Sequence, residues 1–257
     1  MRDARELGGA WRRFQRHRTA APSPELAGYI EHYWTVHWDY AEPYRQLITA
    51  LPRVHLTISS QVGATVRGVA RGHRCQTLTG RGRVFGVAFR PGAFRPILGA
   101  PVSGLTDRVV DAVAVFGAEP PVCPEVAAIE EFLHPRLPEP GPAGRAAVEA
   151  VALIAARPDL TRVDQLATEL GSPVRTLQRL FAEHVGVSPK WVLRRYRVHE
   201  VARRLEAGAE IDWPVLAADL GYADQAHFVR DFTRLMGEPP TRFAARYPDR
   251  SERFPAR

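Results

Sequence analysis

A chain of 257 residues, 45% hydrophobic and 25% charged, has the composition of a soluble globular protein with room for two domains and a core in each. The formal net charge of +7 permits an anionic partner, but it is spread over the chain and marks no region as a nucleic-acid binder. No stretch approaches the ~18 consecutive apolar residues of a membrane span, and the N-terminus lacks the apolar run of a signal peptide, so we expect a cytoplasmic protein.

The cysteines and histidines show no metal-binding pattern. Cys75 and Cys123 are the only cysteines and have no CxxC or Cys/His spacing around them. Two buried, reduced thiols are favoured over a disulfide. His32 and His37 lack a second ligand at a suitable spacing. We therefore expect no metal and no cofactor.

The chain opens with an arginine-rich segment, residues 1–18. A solvated and partly disordered leader is favoured there over an arm that lies along DNA phosphates. From Leu26 the sequence LAGYIEHYWTVHWDY is aromatic and alternates as a strand does. Three further segments repeat the strand pattern: His55–Ser60, Ala64–Ala70 and Arg83–Arg90. Pro91-Gly92 predicts a turn, and helical or irregular segments follow. Residues 1–137 are thus predicted to form a strand-rich sensor or regulatory domain closed by helices.

Aromatic and polar side chains of these strands are the candidate ligand-binding residues. They are His32, Trp34, Trp38, His55 and Arg90. An aromatic wall with a few polar groups suits a small-molecule pocket. Aromatic residues on strands more often fill a core, however, and that interpretation is favoured for the two tryptophans. Arg90 either binds a carboxylate or pairs with an acid to hold its turn, and the sequence does not separate the two.

The second half of the chain is predicted to be all-helical. HPRLPEPGPAG, residues 134–144, is rich in Pro and Gly and marks the domain boundary, with a linker at 138–144. Beyond it the apolar residues recur every 3.6 positions, and Pro and Gly stop signals divide residues 145–250 into seven helices. Asp224 is predicted to cap one of them. The fold class is therefore α+β, a strand-rich domain followed by an all-α domain.

The helical half contains a repeat. Leu166, Ala167, Leu170 and Gly171 recur 50 residues later, and the pattern from Leu177 onward recurs at 51, so one residue is inserted between the two blocks. A short helix, a turn with Gly and a second amphipathic helix make a helix-turn-helix. The inner faces of the second helices are apolar in both copies. We therefore expect two helix-turn-helix units.

The outer faces of the same helices carry the candidate DNA-contacting residues. The candidates for base contacts are Arg175, Thr176, Arg179, Gln225, Ala226, His227 and Arg230. The candidates for DNA-backbone contacts are Gln178, Arg194 and Arg195. Arg and Gln bridge guanine and adenine edges with two hydrogen bonds. The alternative is that any helix has a polar outer face, but equivalent arginines in both copies, Arg179 and Arg230, favour DNA.

The helix that connects the units, Ser188 to Ala207, is ~30 Å long and can hold two recognition helices about one DNA turn apart. Solvation is favoured over phosphate contact for its arginines. The aligned faces Arg175-Thr176 and Gln225-Ala226 differ, so the units are expected to read different bases.

The segment from LATELGSPVRTLQRLF to DLGYADQAHFVRDFTRLMGEPPTRFAARY resembles the DNA-binding domain of AraC/XylS-type transcription regulators, over about residues 145–247. The resemblance implies base contacts from both recognition helices and an N-terminal domain for ligand sensing or dimerisation. Ala226 departs from the polar residue that some members have there, which limits it to apolar contact. HYWTVHWD, LPRVHLTIS and VFGVAFRPGAFRPILG resemble an N-terminal domain found in a subset of these regulators.

The sequence therefore predicts a DNA-binding transcription regulator that is not an enzyme and is modulated by a small-molecule effector. A DNA-tethered module that senses a protein partner is the alternative. An alkyl-DNA repair methyltransferase fusion is disfavoured because Cys75 and Cys123 do not form the required cysteine cluster. The expected partner is double-stranded DNA; RNA polymerase, an effector and a second copy of the chain are further candidates, and no membrane is expected.

Overall fold

The computed structural model describes residues 2–3, 15–49, 51–122, 124–139, 141–206, 212–222 and 224–245. Most of the arginine-rich leader and Cys123 lie outside these residues. Within them, no helix has the length and apolar character needed to cross a membrane. The same residues contain no group of three or more His, Cys, Asp or Glu side chains that could hold a metal ion. Cys75 is exposed, so the prediction that it is buried was wrong.

One sheet organises the N-terminal half, and its order in the described residues is β1-β3-β6-β4-β5-β7, with β2 also paired to β3. Its strands are β1 (Arg2–Asp3), β2 (Gln15–Ala20), β3 (Ile30–Ile48), β4 (His55–Ser59), β5 (Gly63–Arg67), β6 (Arg74–Phe89) and β7 (Val109–Asp111). β1 pairs with β3 in parallel, and the other pairs are antiparallel. β2 starts inside the segment predicted as a leader, so the last residues of that segment belong to the sheet.

One face of the sheet forms the main N-terminal core. Alternate residues such as Tyr33, Leu56 and Phe85 are buried there because successive side chains of a strand point to opposite faces. Three helices cover this face: α1 (Arg95–Leu98), α2 (Ala112–Phe116) and α3 (Val126–Leu133). Phe94, next to α1, packs edge-to-face on Phe89 with ring centroids 4.8 Å apart. The strand-rich domain with closing helices is thus as predicted.

The C-terminal half is helical, and seven helices lie in its described residues. They are α4 (Pro142–Ala156), α5 (Val163–Glu169), α6 (Val174–His184), α7 (Pro189–Glu206), α8 (Trp213–Asp219), α9 (Gln225–Met236) and α10 (Pro240–Ala244). The start of α4 at Pro142 falls inside the segment predicted as a linker, since Pro suits the first turn of a helix. Gly171, Gly186, Gly221 and Gly237 all have positive φ, which lets each close the helix before it.

Each helix-turn-helix unit has its own core. The first core is built around Leu166, Leu177 and Phe181, and the second around Leu216, Phe228 and Phe232. α7 contributes to both, and Trp191 on this helix packs against the two clusters. α7 is therefore part of the core of both units and does more than connect them.

The two halves of the chain are in contact. Thr106 Oγ1 donates to the carbonyl of Gly186 at 2.5 Å, and Arg95 Nε lies 3.3 Å from Glu183 at the end of α6. A second contact joins the segment before β6 to the helical half. There Trp191 Nε1 donates to the Arg71 carbonyl at 3.2 Å. The strand-rich domain thus touches the end of α6 and the connecting helix.

Candidate nucleic-acid interface

The two helix-turn-helix units differ by one residue in the turn. Two residues separate Gly171 from the start of α6, and three separate Gly221 from the start of α9. The inserted residue therefore lies in the second turn, as predicted. It also aligns Arg175 with Ala226 and Thr176 with His227, which corrects the predicted pairing of Arg175-Thr176 with Gln225-Ala226. The outer faces still differ between the units.

The start of α9 is held by a side chain. Asp224 accepts a hydrogen bond from the backbone N–H of His227 at 2.6 Å, as predicted for an N-cap. This bond satisfies one of the amides that have no partner inside the helix. α6 begins instead after Pro173, which has no such bond. The inserted residue thus gives α9 a capped start.

Buried aromatic and aliphatic residues decide which side of each recognition helix faces outward. Leu177 and Phe181 on α6, and Phe228 and Phe232 on α9, are almost completely buried. They recur at helical spacing and pack into the core of their own unit. The side chains on the opposite side of each helix therefore point away from the core of its unit.

The outward-facing side chains are available for an external partner. The exposed ones are Arg175, Thr176, Gln178, Arg179, Gln225, Ala226 and Arg230. Within the described residues, none of these side chains makes a hydrogen bond or an ion pair. Arg179 and Arg230 stand at the same position of their helices, five residues after the first. Both units thus present an unpaired guanidinium at an equivalent place.

His227 and Arg194, by contrast, are engaged within the protein. Arg194 on α7 forms an ion pair with Asp231 on α9, and its Nη2 donates to His227 Nε2 at 3.1 Å. The ring of His227 also meets Tyr222 edge-on, with centroids 5.3 Å apart. His227 is only half-buried. These contacts brace α9 against α7, so both side chains have a role in the fold besides any contact with DNA.

Arg195 is buried, and the prediction that it contacts the DNA backbone was wrong. Its side chain is 1% exposed and Nη1 donates to the Leu235 carbonyl at 3.2 Å, in the last turn of α9. Burial lowers the pKa of Arg195 to about 10, so the guanidinium is still charged at neutral pH. A cation at the last carbonyls of a helix offsets their partial negative charge.

Arg197 has the same function at another helix end. Its Nη1 donates to the Leu220 carbonyl at 2.5 Å, just after α8, and Nη2 donates to the Leu160 carbonyl at 3.4 Å. The sequence analysis missed this role for both arginines. The signal was available for Arg195, which stands three residues from the buried Val192 and three from the buried Val198, on the apolar face of α7.

The predicted ligand residues of the N-terminal domain do not all lie together. Trp38 is 4% exposed and packs in a small core with Tyr40, Tyr44 and Leu78. Arg90 Nε donates to the Ala27 carbonyl at 2.5 Å, so it holds its turn through the backbone and not through an acid. These two residues serve the fold.

His32, Trp34 and His55 do share one region, on the sheet face opposite the main core. Trp34 Nε1 donates to His55 Nδ1 at 3.3 Å. Burial, followed by the nearby Arg53, His32, Arg74 and Arg67, lowers the pKa of His55 to about 3, so this ring is neutral at pH 7. Trp34 lies over Gly86 of β6: a Cβ there would come within 2.0 Å of Trp34 Cε2. The glycine makes room for the indole.

Comparison with known proteins agrees with this division of the chain. Residues 166–246 match the family model of a helix-turn-helix domain, and residues 18–111 match a domain of unknown function, DUF6597. The C-terminal half is thus a helix-turn-helix domain. It belongs to the AraC type, as the sequence predicted.

Among the curated relatives is the HTH-type transcriptional activator RhaS of Pectobacterium atrosepticum, 32% identical over 75 residues, which are 29% of this chain and 26% of the relative. RhaS of Pectobacterium carotovorum matches with the same identity and coverage. The chain therefore spans about a quarter of the length of these relatives.

Solved structures show weaker likeness. The C-terminal domain of AraT from Geobacillus stearothermophilus is 24% identical, with a TM-score of 0.37, covering 46% of this chain and 94% of that one. ToxT from Vibrio cholerae is 9% identical, with a TM-score of 0.42, covering 92% of this chain and 99% of that one.

Proposed function

We propose that this protein is a sequence-specific DNA-binding transcription regulator that reads two adjacent major-groove segments with α6 and α9. The observation that carries the proposal is the pair of exposed, unpaired guanidiniums of Arg179 and Arg230 at equivalent positions of two helix-turn-helix units. The major groove admits an α-helix, and an Arg in it can donate two hydrogen bonds to guanine O6 and N7. An ordinary solvated face does not require the same cation in both copies.

The connecting helix supports two readers on one DNA molecule. α7 has 18 residues and is therefore ~27 Å long, close to the ~34 Å between successive major-groove faces on one side of the duplex. Arg195 and Arg197 tie α7 to the ends of α9 and α8. These buried bonds set the angle between the units before DNA arrives, which lowers the ordering cost of binding.

The remaining residues divide by their environment. We assign base contacts to Arg175, Thr176, Arg179, Gln225, Ala226 and Arg230, which are exposed, and a backbone contact to Gln178. Ala226 aligns with Arg175, so the second unit offers an apolar contact where the first offers a cation. The operator is then asymmetric. Arg194 and His227 act mainly by holding α9 in place.

The N-terminal domain is proposed to sense a small-molecule effector. It touches α6 through Arg95 and Glu183, and α7 through Arg71 and Trp191. A change in the strand-rich domain therefore has a direct mechanical route to both the first recognition helix and the connector.

Arginine substitutions test whether α6 and α9 contact DNA bases. A binding site is first selected from random DNA with the full chain, and the Kd is then measured for Arg179→Ala and Arg230→Ala on that site and on random DNA. Each loss of a bidentate base contact is expected to weaken specific binding by ~1–3 kcal/mol, about 5- to 150-fold, and to spare nonspecific binding. Arg18→Ala, an exposed arginine on β2, is the control. An equal loss on random DNA would identify the two arginines as phosphate contacts.

Footprinting tests whether both α6 and α9 occupy the major groove. Guanine-methylation protection by the full chain should cover two major-groove segments about one turn apart, ~10 base pairs. Arg230→Ala should remove protection from one segment and leave the other. Protection of a single segment by the unaltered protein would contradict the two-reader proposal.

A further inference from the structure

The sheet face opposite the main core carries an unusual set of polar residues. Leu56, Ile58 and Val66 of β4 and β5 are buried in the core. Their neighbours therefore point to the other face, where His55 lies opposite Arg67 and Thr57 lies opposite Thr65. Strands with one apolar and one solvated face are common, but these side chains are half-buried or buried rather than solvated.

Hydrogen bonds on this face leave donors facing outward. Thr57 Oγ1 lies 2.9 Å from Thr65 Oγ1 and accepts from Arg67 Nε at 3.3 Å, so the guanidinium is held by a neutral hydroxyl. Because Trp34 donates to His55 Nδ1, the proton of the neutral imidazole is on Nε2, which has no hydrogen-bond acceptor among the described residues. Arg67 retains its outer N–H groups as well.

Arg74 joins this set from the far end of β6. In a straight strand it would stand roughly 45 Å from Ala88, the residue paired with His55. Ile48, the residue paired with Arg74, is however only seven residues from His55 along the chain, and a segment of that length spans at most ~25 Å. In agreement with this, Arg74 lowers the pKa of His55, and Arg67 lowers the pKa of Arg74 after burial does. The paired strands β3 and β6 must therefore curl, and their register shift between Tyr40 and Tyr44 is where the pairing is interrupted.

No acid balances these cations in the part of the chain that the structure describes. Glu31 is paired with Arg53 at the edge of this face. Asp111 of β7, beside Thr65, accepts from the backbone N–H of Val113 and caps α2. Neither Arg67 nor Arg74 has an ion pair with a described carboxylate. Two partly desolvated guanidiniums without a counter-ion are costly, and a bound anion would offset that cost.

We propose that Trp34, His55, Thr57, Arg67 and Arg74 form a binding site for a small carboxylate-bearing molecule, here named the sheet-face site. The Arg forks and the His55 Nε2–H match the oxygens of a carboxylate. The indole of Trp34, seated over Gly86, supplies an apolar wall for the rest of the ligand. This inference rests on the proposed regulator function, for which it names the class of effector.

The sheet-face site is connected to the DNA-binding half through residues 71–74. Arg74 follows His73, whose Nδ1 lies 3.1 Å from the carbonyl of Arg234 on α9. Two residues earlier, the Arg71 carbonyl accepts from Trp191 of α7. A ligand that draws Arg74 toward the site therefore acts on the backbone segment that touches both a recognition helix and the connector. Binding of the ligand and of DNA should be coupled reciprocally.

The full chain tests the site with three probes at constant ionic strength: benzoate, its neutral isostere benzamide, and inorganic phosphate. Benzoate should raise the melting temperature, and Arg67→Gln and Arg74→Gln should each weaken its apparent Kd at least ~10-fold. Arg45→Gln, at an exposed position of β3, is the matched control and should change nothing. Without probe, both site variants should melt no lower than the unaltered protein, because each removes an uncompensated charge.

The outcomes separate cleanly. Equal stabilisation by benzamide, or no stabilisation by either anion, overturns an anion site. Tighter binding of phosphate than of benzoate overturns the carboxylate class. Binding to the selected DNA is measured in the same variants and should persist without probe, so a failure of DNA binding is distinguishable from a failure of this site. If the two sites are coupled, benzoate should alter the Kd for that DNA. Trp191→Phe should abolish this change and leave the Kd for benzoate unaltered. A DNA Kd that benzoate does not alter in the unaltered protein contradicts the coupling.

Discussion

Replacement of Arg195 tests whether this arginine serves the fold or the DNA. In Arg195→Ala the charged hydrogen bond to Leu235 is lost, at ~1.5–3 kcal/mol, together with about three buried methylenes at ~0.8 kcal/mol each. The relieved burial of the charge acts in the other direction. The pKa of Arg195 is lowered to about 10 from 12.5, which corresponds to ~3.5 kcal/mol at about 1.4 kcal/mol per pH unit. The net expectation is a destabilisation of ~0.5–2 kcal/mol.

Arg195→Met separates the charge from the stem. Met keeps most of the buried stem and has no charge, so the lost hydrogen bond and the relieved desolvation nearly cancel. Its expected change in stability is within ~1 kcal/mol. Removal of the whole side chain is therefore expected to be worse than removal of the charge alone. If Arg195 contacted a DNA phosphate instead, both variants would weaken DNA binding equally, because both lose the charge.

Thermal melting and salt-dependent DNA binding measure the two roles. For a chain of this size ~1 kcal/mol corresponds to about 2–4 °C, so Arg195→Ala should melt about 1–8 °C lower, and Arg195→Met should melt within about 4 °C of the unaltered protein. The slope of log K against log salt should stay unchanged in both. Arg204→Ala, an exposed arginine of α7 paired with Glu200, is the control and should shift the melt little. A slope reduced by about one with an unaltered melt would refute the structural role.

Two further substitutions probe the strand-rich domain. The unfolded chain protonates His55 at pH 6.5 but the folded chain does so only at about 3, so its contribution to stability is present above pH 6.5 and is lost as the pH falls towards 3. His55→Gln should therefore remove ~1–2 kcal/mol of the loss seen in melts between pH 7.5 and 5. An unchanged pH slope would contradict the burial of the neutral ring. Gly86→Ala places a Cβ within 2.0 Å of Trp34, and the displaced indole should lower stability by ~1–3 kcal/mol and shift the tryptophan fluorescence. Gly104→Ala has open space, and a comparable effect there would show that the indole is not the cause.

Local patterns in the sequence were sufficient to predict the framework of the DNA-binding half. The repeat, the stop signals and the cap at Asp224 each depend on residues within a few positions of one another along a helix. The alternation of β3, β4 and β6 predicted the strands for the same reason, although it did not indicate that β2 reaches back to Gln15. Element type and inner faces are set by periodicity, and periodicity is a local property.

The role of each polar side chain depended on distant parts of the chain. Arg195 stands on the apolar face of α7, but its hydrogen bond to the Leu235 carbonyl depends on the packing of α9 against α7. Arg74 and His55 are brought together by the curl of the paired strands β3 and β6. The need for a glycine at position 86 arises only because Trp34 lies opposite it. The sequence by itself determined which elements form and which faces are apolar. The tertiary structure alone decided which cations are left without a partner, because a partner is a matter of distance in space.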